Sequence, residues 1–298
     1  MKITRSHSLK LIGAALVLPS CGGKSGGAPG AAVRVGSKNF GEDITIAEIY
    51  AAALERAKIP VERHVNLGST QIAMAAMQRG DIDLYPEYTG TALIDVLHLP
   101  PMRDAKALYD RVRAEYRERF GMAWLARSPV NDSQGLCTTQ SVARRYGIRT
   151  LSDCAKAAPR LRLAAVPEFV ARADSLPGLQ KFYGGFTFKD VKTYDIGLQY
   201  TALQQGSADV ATAFTTDAQI IADDLVVLRD DKGFWPPYNV APIVREKTLR
   251  AHPRIADVLD KIAPLLTDDA VRKLNMQVNV QHQDPADAAQ AFLKEHGI

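Results

Sequence analysis

A chain of 298 residues, 46% hydrophobic and 23% charged, can bury cores for two domains and is too apolar to stay disordered. Its formal net charge of +4 is small for that length, and it has no Lys/Arg run or basic stripe interleaved with aromatics. Nucleic acid is therefore not an expected partner.

Lys2, Arg5 and Lys10 precede the apolar run Leu11 to Leu18, which is too short to span a bilayer but suits the core of a signal peptide. Leu18-Pro19-Ser20-Cys21 follows, so residues 1–21 resemble a lipoprotein signal ending at an acylated Cys21. Pro19 departs from the usual small or apolar residue, and an ordinary secretion signal with an incidental Cys is the alternative. Residues 22–32 form a Gly/Ser/Ala-rich tether. No other stretch could cross a membrane.

Val33 to Gly36 reads as a strand, followed by the loop Ser37 to Gly41 and a helix from about Glu42 to Lys58, with Ala47, Tyr50, Ala51 and Leu54 on one face. Val61, Arg63 and Val65 alternate as a second strand, and Ser69 is placed to cap the next helix, which ends at Gly80. Gly80 to Thr91 predicts a short strand through Leu84 and Tyr85, a turn forced by Pro86, and a helix opening near Thr89. Ligands of open α/β sheets bind at such strand ends. Tyr88 offers an aromatic face for a cation there, and the helix start with Thr91 offers donors for an anion, the two halves of a zwitterion site.

Gln205 to Phe214 repeats the design, with a Gly206 helix end, Asp209, a short strand and Phe214 five residues past the Asp, as Tyr88 is five past Asp83. Either this is internal symmetry or it is the ordinary punctuation of α/β chains. Between the two stretches lie an amphipathic helix over Asp104 to Phe120, a strand at Met122 to Leu125 and a polar crossing from Ser128 to Gly135. Strands follow at 136–138, 161–165, 191–194, 210–214 and 225–228, alternating with helical segments as in α/β packing. Thr150-Leu151-Ser152-Asp153 has the pattern of a capping box, with Asp in place of the usual Glu. Asp230 to Gly233 reads as a return crossing, and Phe234 to Asn239 as a segment stiffened by Pro236 and Pro237. Helices broken at Pro253 and Pro285 then pack back on the first half. This divides the chain into lobe 1, residues 33–130 plus 235–298, and lobe 2, residues 131–234, joined by two hinge strands.

The motifs Gly36-Ser37-Lys38-Asn39-Phe40, Asn66-Leu67-Gly68-Ser69, Gly80 to Thr91, Pro167-Glu168-Phe169 with Arg172, Thr216-Asp217, and Asp230 to Tyr238 with Ala241-Pro242 occur in this order over residues 33–298. Together they resemble the osmoprotectant-binding proteins of ABC importers, which capture glycine betaine, choline and related quaternary ammonium compounds. The resemblance implies an α/β fold of the two-lobed periplasmic binding protein type with two crossovers. It implies a periplasmic protein, expected to be monomeric and tethered through Cys21, that delivers ligand to permease subunits in the inner membrane. It also implies a box of rings around the onium group, with Tyr88, Phe214 and Tyr238 in three places and Gln134, which is not aromatic, in the fourth. Lys38, Thr91 and Arg172 match the groups that hold the anionic end. Arg can fork a carboxylate, while Lys adds a point charge and Thr a neutral donor.

A cation–π contact contributes roughly 0.5 to 2 kcal/mol. Losing one ring and one phenol therefore predicts betaine binding weaker by about 1 to 3 kcal/mol, or a shift to another small zwitterionic solute with a polar group for Gln134. An enzyme is not expected. The histidines His7, His64, His98, His252, His282 and His296 lack metal spacing, and no cofactor fingerprint or nucleophile elbow occurs. Asp81, Asp83 and Glu87 suit strand-edge and salt-bridge roles better than acid/base work. Cys137 and Cys154 could pair in an oxidising compartment or remain two buried thiols.

Overall fold

The computed structural model describes residues 31–298, so the secretion signal, the acylation of Cys21 and the tether up to Gly30 lie outside the described residues. Two five-stranded sheets organise the chain. The first contains β1 (Val33–Gly36), β2 (Val61–His64), β3 (Leu84–Tyr88), β4 (Met122–Trp124) and β10 (Val240–Arg245), in the order β2-β1-β3-β10-β4. The second contains β5 (Gln134–Thr139), β6 (Arg162–Ala165), β7 (Asp190–Thr193), β8 (Val210–Phe214) and β9 (Leu225–Val227), in the order β7-β6-β8-β5-β9.

The two orders are the same topology. In each sheet three parallel strands meet an antiparallel strand, β10 in one and β5 in the other, that enters from a crossing segment. The side chains repeat as well. Arg34 of β1 sends its backbone N–H and its guanidinium to Asp83, with Nε at 2.8 Å and Nη2 at 2.9 Å, and Arg162 of β6 does the same to Asp209, with both nitrogens at 2.9 Å. Each Asp returns its own N–H to the carbonyl of that Arg, and each follows a glycine in the left-handed conformation, Gly80 and Gly206. The Gly-Asp-strand pattern therefore marks an internal repeat.

Pro86 does not make a turn; it lies inside β3, directly opposite Pro242 of β10. The ladder explains why the strand tolerates it. Thr89 N donates to Asn239 O and Arg245 N to Asp83 O, so odd-numbered residues of β3 exchange hydrogen bonds with β10 and the Pro86–Pro242 pair falls between them. On its other side Pro242 accepts from Leu125 N and has no N–H to return, and the Tyr109 hydroxyl supplies the missing donor to Leu125 O at 2.6 Å.

The capping box forms as expected, with Thr150 and Asp153 exchanging side-chain and backbone bonds. Ser69 precedes its helix with extended backbone but makes no side-chain cap; it faces the cavity described below. Cys137 and Cys154 are free thiols. Cys137 packs with Ala164, Tyr200 and Leu203, Cys154 with Leu151 and Leu163, in separate cores flanking the second sheet, so no disulfide joins them. Helices Arg254–Ile262, Asp268–Asn275 and Pro285–Glu295 return to the first sheet, placing Ile255, Leu259, Val271 and Phe292 in one core with Val33, Val35 and Ile46. The two crossings run side by side. Asn131 bridges Asn239, Tyr238 N donates to Asn131 Oδ1 at 2.7 Å, and Asn239 Nδ2 donates to the carbonyls of Pro129 and Val130.

Candidate functional site

Strand ends from both sheets converge on one cavity of ≈ 80 Å³, which Lys38, Tyr88, Thr91, Gln134, Arg172, Phe214 and Tyr238 all line. Their positions follow from the fold. Lys38 comes just after β1, Tyr88 closes β3, Phe214 closes β8, Gln134 opens β5 directly opposite Phe214, and Tyr238 ends the second crossing. Arg172 terminates the short helix Pro167–Ala171, and its Nη2 reaches Thr91 Oγ1 of the opposite half at 3.4 Å.

Two tyrosines give the cavity ring faces while their hydroxyls are held elsewhere. Tyr88 donates to Glu42 at 2.8 Å and Tyr238 to Asp174 at 2.6 Å. A further ring, Phe40, lines the same space 6.0 Å from Tyr88, although no Tyr stands at position 134. Its place two residues past Lys38, in the loop at a strand's carboxyl end, was a readable signal. Rings from Phe40, Tyr88, Phe214 and Tyr238 around one cavity suit an onium cation. The Lys38 ammonium already samples that environment, 4.5 Å from the centroid of Tyr88 and 5.6 Å from that of Phe40.

Gln134 does not present a spare polar group. Its Nε2 donates to Asp174 Oδ2 and meets the Tyr238 hydroxyl, each at 3.0 Å, and its Oε1 accepts from Ser175 at 2.6 Å, so the whole amide is committed to the protein. Lys38 and Arg172 have internal partners too. Lys38 Nζ lies 2.7 Å from Glu87 Oε1, and the Arg172 guanidinium forks both oxygens of Asp174 at 2.8 and 2.6 Å.

Below the rings lies an acidic cluster that the sequence reading missed. Glu42 Oε2 and Asp132 Oδ1 each sit 2.6 Å from Thr216 Oγ1, and Asn275 Nδ2 donates to the same Glu42 oxygen at 2.7 Å. One hydroxyl proton can serve only one of the two carboxyls, so the other must carry a proton itself. Burial pushes both above the usual carboxylate range, with the Glu42 charge adding to the effect on Asp132. Burial likewise raises Asp43 to about 7, against the pull of Lys38, and Asp217 to about 6. Among the described residues no cluster of three His, Cys, Asp or Glu is arranged to hold a metal ion, and no helix is long and apolar enough to cross a membrane.

Comparison with known proteins places the chain in a family. Residues 31–295 match the family model for the substrate-binding domain of ABC-type glycine betaine transport systems. The chain is 34% identical to a glycine-betaine-binding protein of Pseudomonas aeruginosa, over 89% of this chain and 88% of that one. It is 30% identical to a carnitine transport binding protein of Listeria monocytogenes, over 99% and 97% of the two chains. A crystal structure described as a glycine betaine/carnitine/choline ABC transporter superposes with a TM-score of 0.73 at 30% identity, covering 89% of this chain and 98% of the other. The chain belongs to the family of substrate-binding domains of ABC-type glycine betaine transport systems.

Proposed function

We propose that this ABC transporter binding protein clamps a small quaternary ammonium compound between lobe 1 (33–130 plus 235–298) and lobe 2 (131–234). The onium group sits against Tyr88, Phe214, Tyr238 and Phe40, and the ligand's polar end faces Lys38, Thr91 and Arg172. The observation that carries this reading is the convergence of these side chains, from both sheets and a crossing segment, on one cavity. Closure strengthens the attraction between ring and cation by excluding water, and a ligand touching both halves stabilises the closed form. Members of this family work outside the cytoplasmic membrane and hand ligand to a permease; tethering through an acylated Cys21 would hold the chain, as a monomer, beside it. We read the chain as a binder and not a catalyst, so incubation with betaines or choline should yield no product.

A melting-shift screen tests the ligand class. Glycine betaine, choline or carnitine at about 100 times Kd should add about 2.7 kcal/mol of stability. Phe214→Ala is the informative variant, because Phe214 is only partly buried and its side chain carries no hydrogen bond. It should weaken binding by about 0.5 to 2 kcal/mol and leave the ligand-free melting temperature nearly unchanged. If no onium compound shifts the wild type, or if Phe214→Ala binds as tightly as the wild type, this seat is wrong.

A further inference from the structure

The polar end of the cavity is charged differently from a carboxylate receptor. Its two cations are each satisfied by a buried carboxylate of the protein, Lys38 by Glu87 and Arg172 by Asp174. Asp174 is the more telling partner. Its side chain is 1% exposed, it fills the guanidinium fork with both oxygens, and one of those oxygens also accepts the Tyr238 hydroxyl and the Gln134 amide. It thus takes the Nε–Nη2 edge of the guanidinium, one of the two edges on which Arg172 could fork a ligand carboxylate, and neutralises its charge. Two further carboxylates, Asp132 and Glu168, line the cavity itself with no ion pair among the described residues, and the Asp132 side chain meets the hydroxyl and N–H of Thr216.

Counting the groups around the cavity, the charges of Lys38 and Arg172 are matched by Glu87 and Asp174, and the carboxyls of Asp132 and Glu168 line the wall with no cation paired to them among the described residues. A zwitterion would bring its carboxylate against this excess and would compete with Asp174 for Arg172. A ligand whose polar end is neutral keeps the ring contacts and meets no such opposition.

We propose that Asp174 is the specificity-determining residue of the site: by occupying Arg172 it selects quaternary ammonium ligands that carry net positive charge, with an alcohol or ester at the polar end, over betaines that carry a carboxylate. This rests on the ligand class proposed above, and one matched pair separates the two ideas. Glycine betaine and its methyl ester share the trimethylammonium head and differ in the charge of the other end. Calorimetry on the wild-type protein should find the ester, and choline, at least tenfold tighter than glycine betaine. Asp174→Asn frees the guanidinium and should move the ester-to-acid ratio at least tenfold toward the acid, a change that mere loosening of the site would not produce. Where Asp174→Asn does not fold, the wild-type ratio decides alone. Tighter binding of the acid, equal binding of acid and ester, or a ratio that Asp174→Asn leaves in place would each overturn the assignment. Absence of binding by every onium compound would overturn it together with the proposed ligand class.

Discussion

Replacing Glu42 by Gln perturbs the one contact in which two carboxyls from opposite sides of the cleft share a hydroxyl. Because both oxygens lie 2.6 Å from Thr216 Oγ1, they are at most about 5 Å apart, and two full charges at that separation repel by about 3 kcal/mol at an effective dielectric of 20. The folded protein avoids this cost by keeping a proton that the unfolded chain, with carboxyls near their ordinary values, gives up. Between those two ranges the native state binds more protons, so the contribution is complete in acid and is lost as pH rises through the folded value. Asp43, raised to about 7 by burial against the pull of Lys38, and Asp217, raised to about 6 by burial against its bonds from Tyr200 and Phe214 N–H, act in the same direction. The wild type should therefore melt at a lower temperature at pH 8 than at pH 5. Glu42→Gln removes one charge of the pair and leaves Asp43 and Asp217 in place; Thr216 can then donate to Asp132, and the new amide can donate to the Tyr88 oxygen. Its decline from pH 5 to pH 8 should be smaller than that of the wild type, on the order of 5 to 10 °C for about 3 kcal/mol in a protein of this size. Scanning calorimetry of ligand-free protein measures this directly, and equal declines in the two proteins would refute the shared proton.

Gln134→Tyr, which the family resemblance suggests as a way to complete the ring box, should instead destabilise the fold by about 1 to 3 kcal/mol. It strips the amide from Asp174 and Ser175, and urea unfolding should show a lower midpoint with no gain in betaine affinity. The Arg–Asp repeat should respond unequally: Asp83→Ala leaves the side chains of Arg34, Arg245 and Thr248 without their shared acceptor at a nearly buried site and should cost roughly 3 to 5 kcal/mol. Asp209→Ala deprives the single Arg162 side chain, 37% exposed, and should cost roughly 1 to 2 kcal/mol. Equal losses in urea unfolding would show that the additional Arg245 and Thr248 contacts do not set the difference.

What could be read from the sequence depended on how local its cause was. Strand β8 lies at Val210–Phe214 as expected, because a glycine end and an apolar run define it within a few residues. The Thr150 capping box is likewise a matter of three residues. The role of Pro86 was not legible, since a proline breaks a strand or sits harmlessly in it according to the register of a partner more than 150 residues away. The ring positions Tyr88, Phe214 and Tyr238 could be placed because each ends an element at the cleft. Their neighbours could not: Asp174 is two residues past Arg172 in sequence, yet its meaning comes from Tyr238 and Gln134, which arrive from a crossing segment and a different strand. Glu42 and Asp132 were silent for the same reason, since only the tertiary fold brings them to one hydroxyl, that of Thr216.

The matching halves also bear on how firmly the proposed closed form would be held. Trp235 and Tyr238, in the second crossing, bind Asp174 and Gln134; apart from the crossings, the hydrogen bonds between the halves among the described residues are few: Thr216 to Glu42 at 2.6 Å, Asn275 to the Thr216 carbonyl at 3.0 Å, Arg172 to Thr91 at 3.4 Å, and Arg272 to the Thr215 carbonyl at 3.5 Å. The last two are long enough to contribute little, so outside the crossings the contact rests mainly on Thr216 and its neighbours. A bond of ordinary strength contributes about 0.5 to 1.5 kcal/mol, comparable to the few kcal/mol that separate open and closed states in proteins of two conformations. In the proposed clamp, closure is therefore poised and not locked, and the contact that poises it contains the shared proton. A ligand cation in the proposed ring seat would add contacts to both halves at once and face the Glu42–Asp132 pair, so the same carboxyls would bias capture and closure.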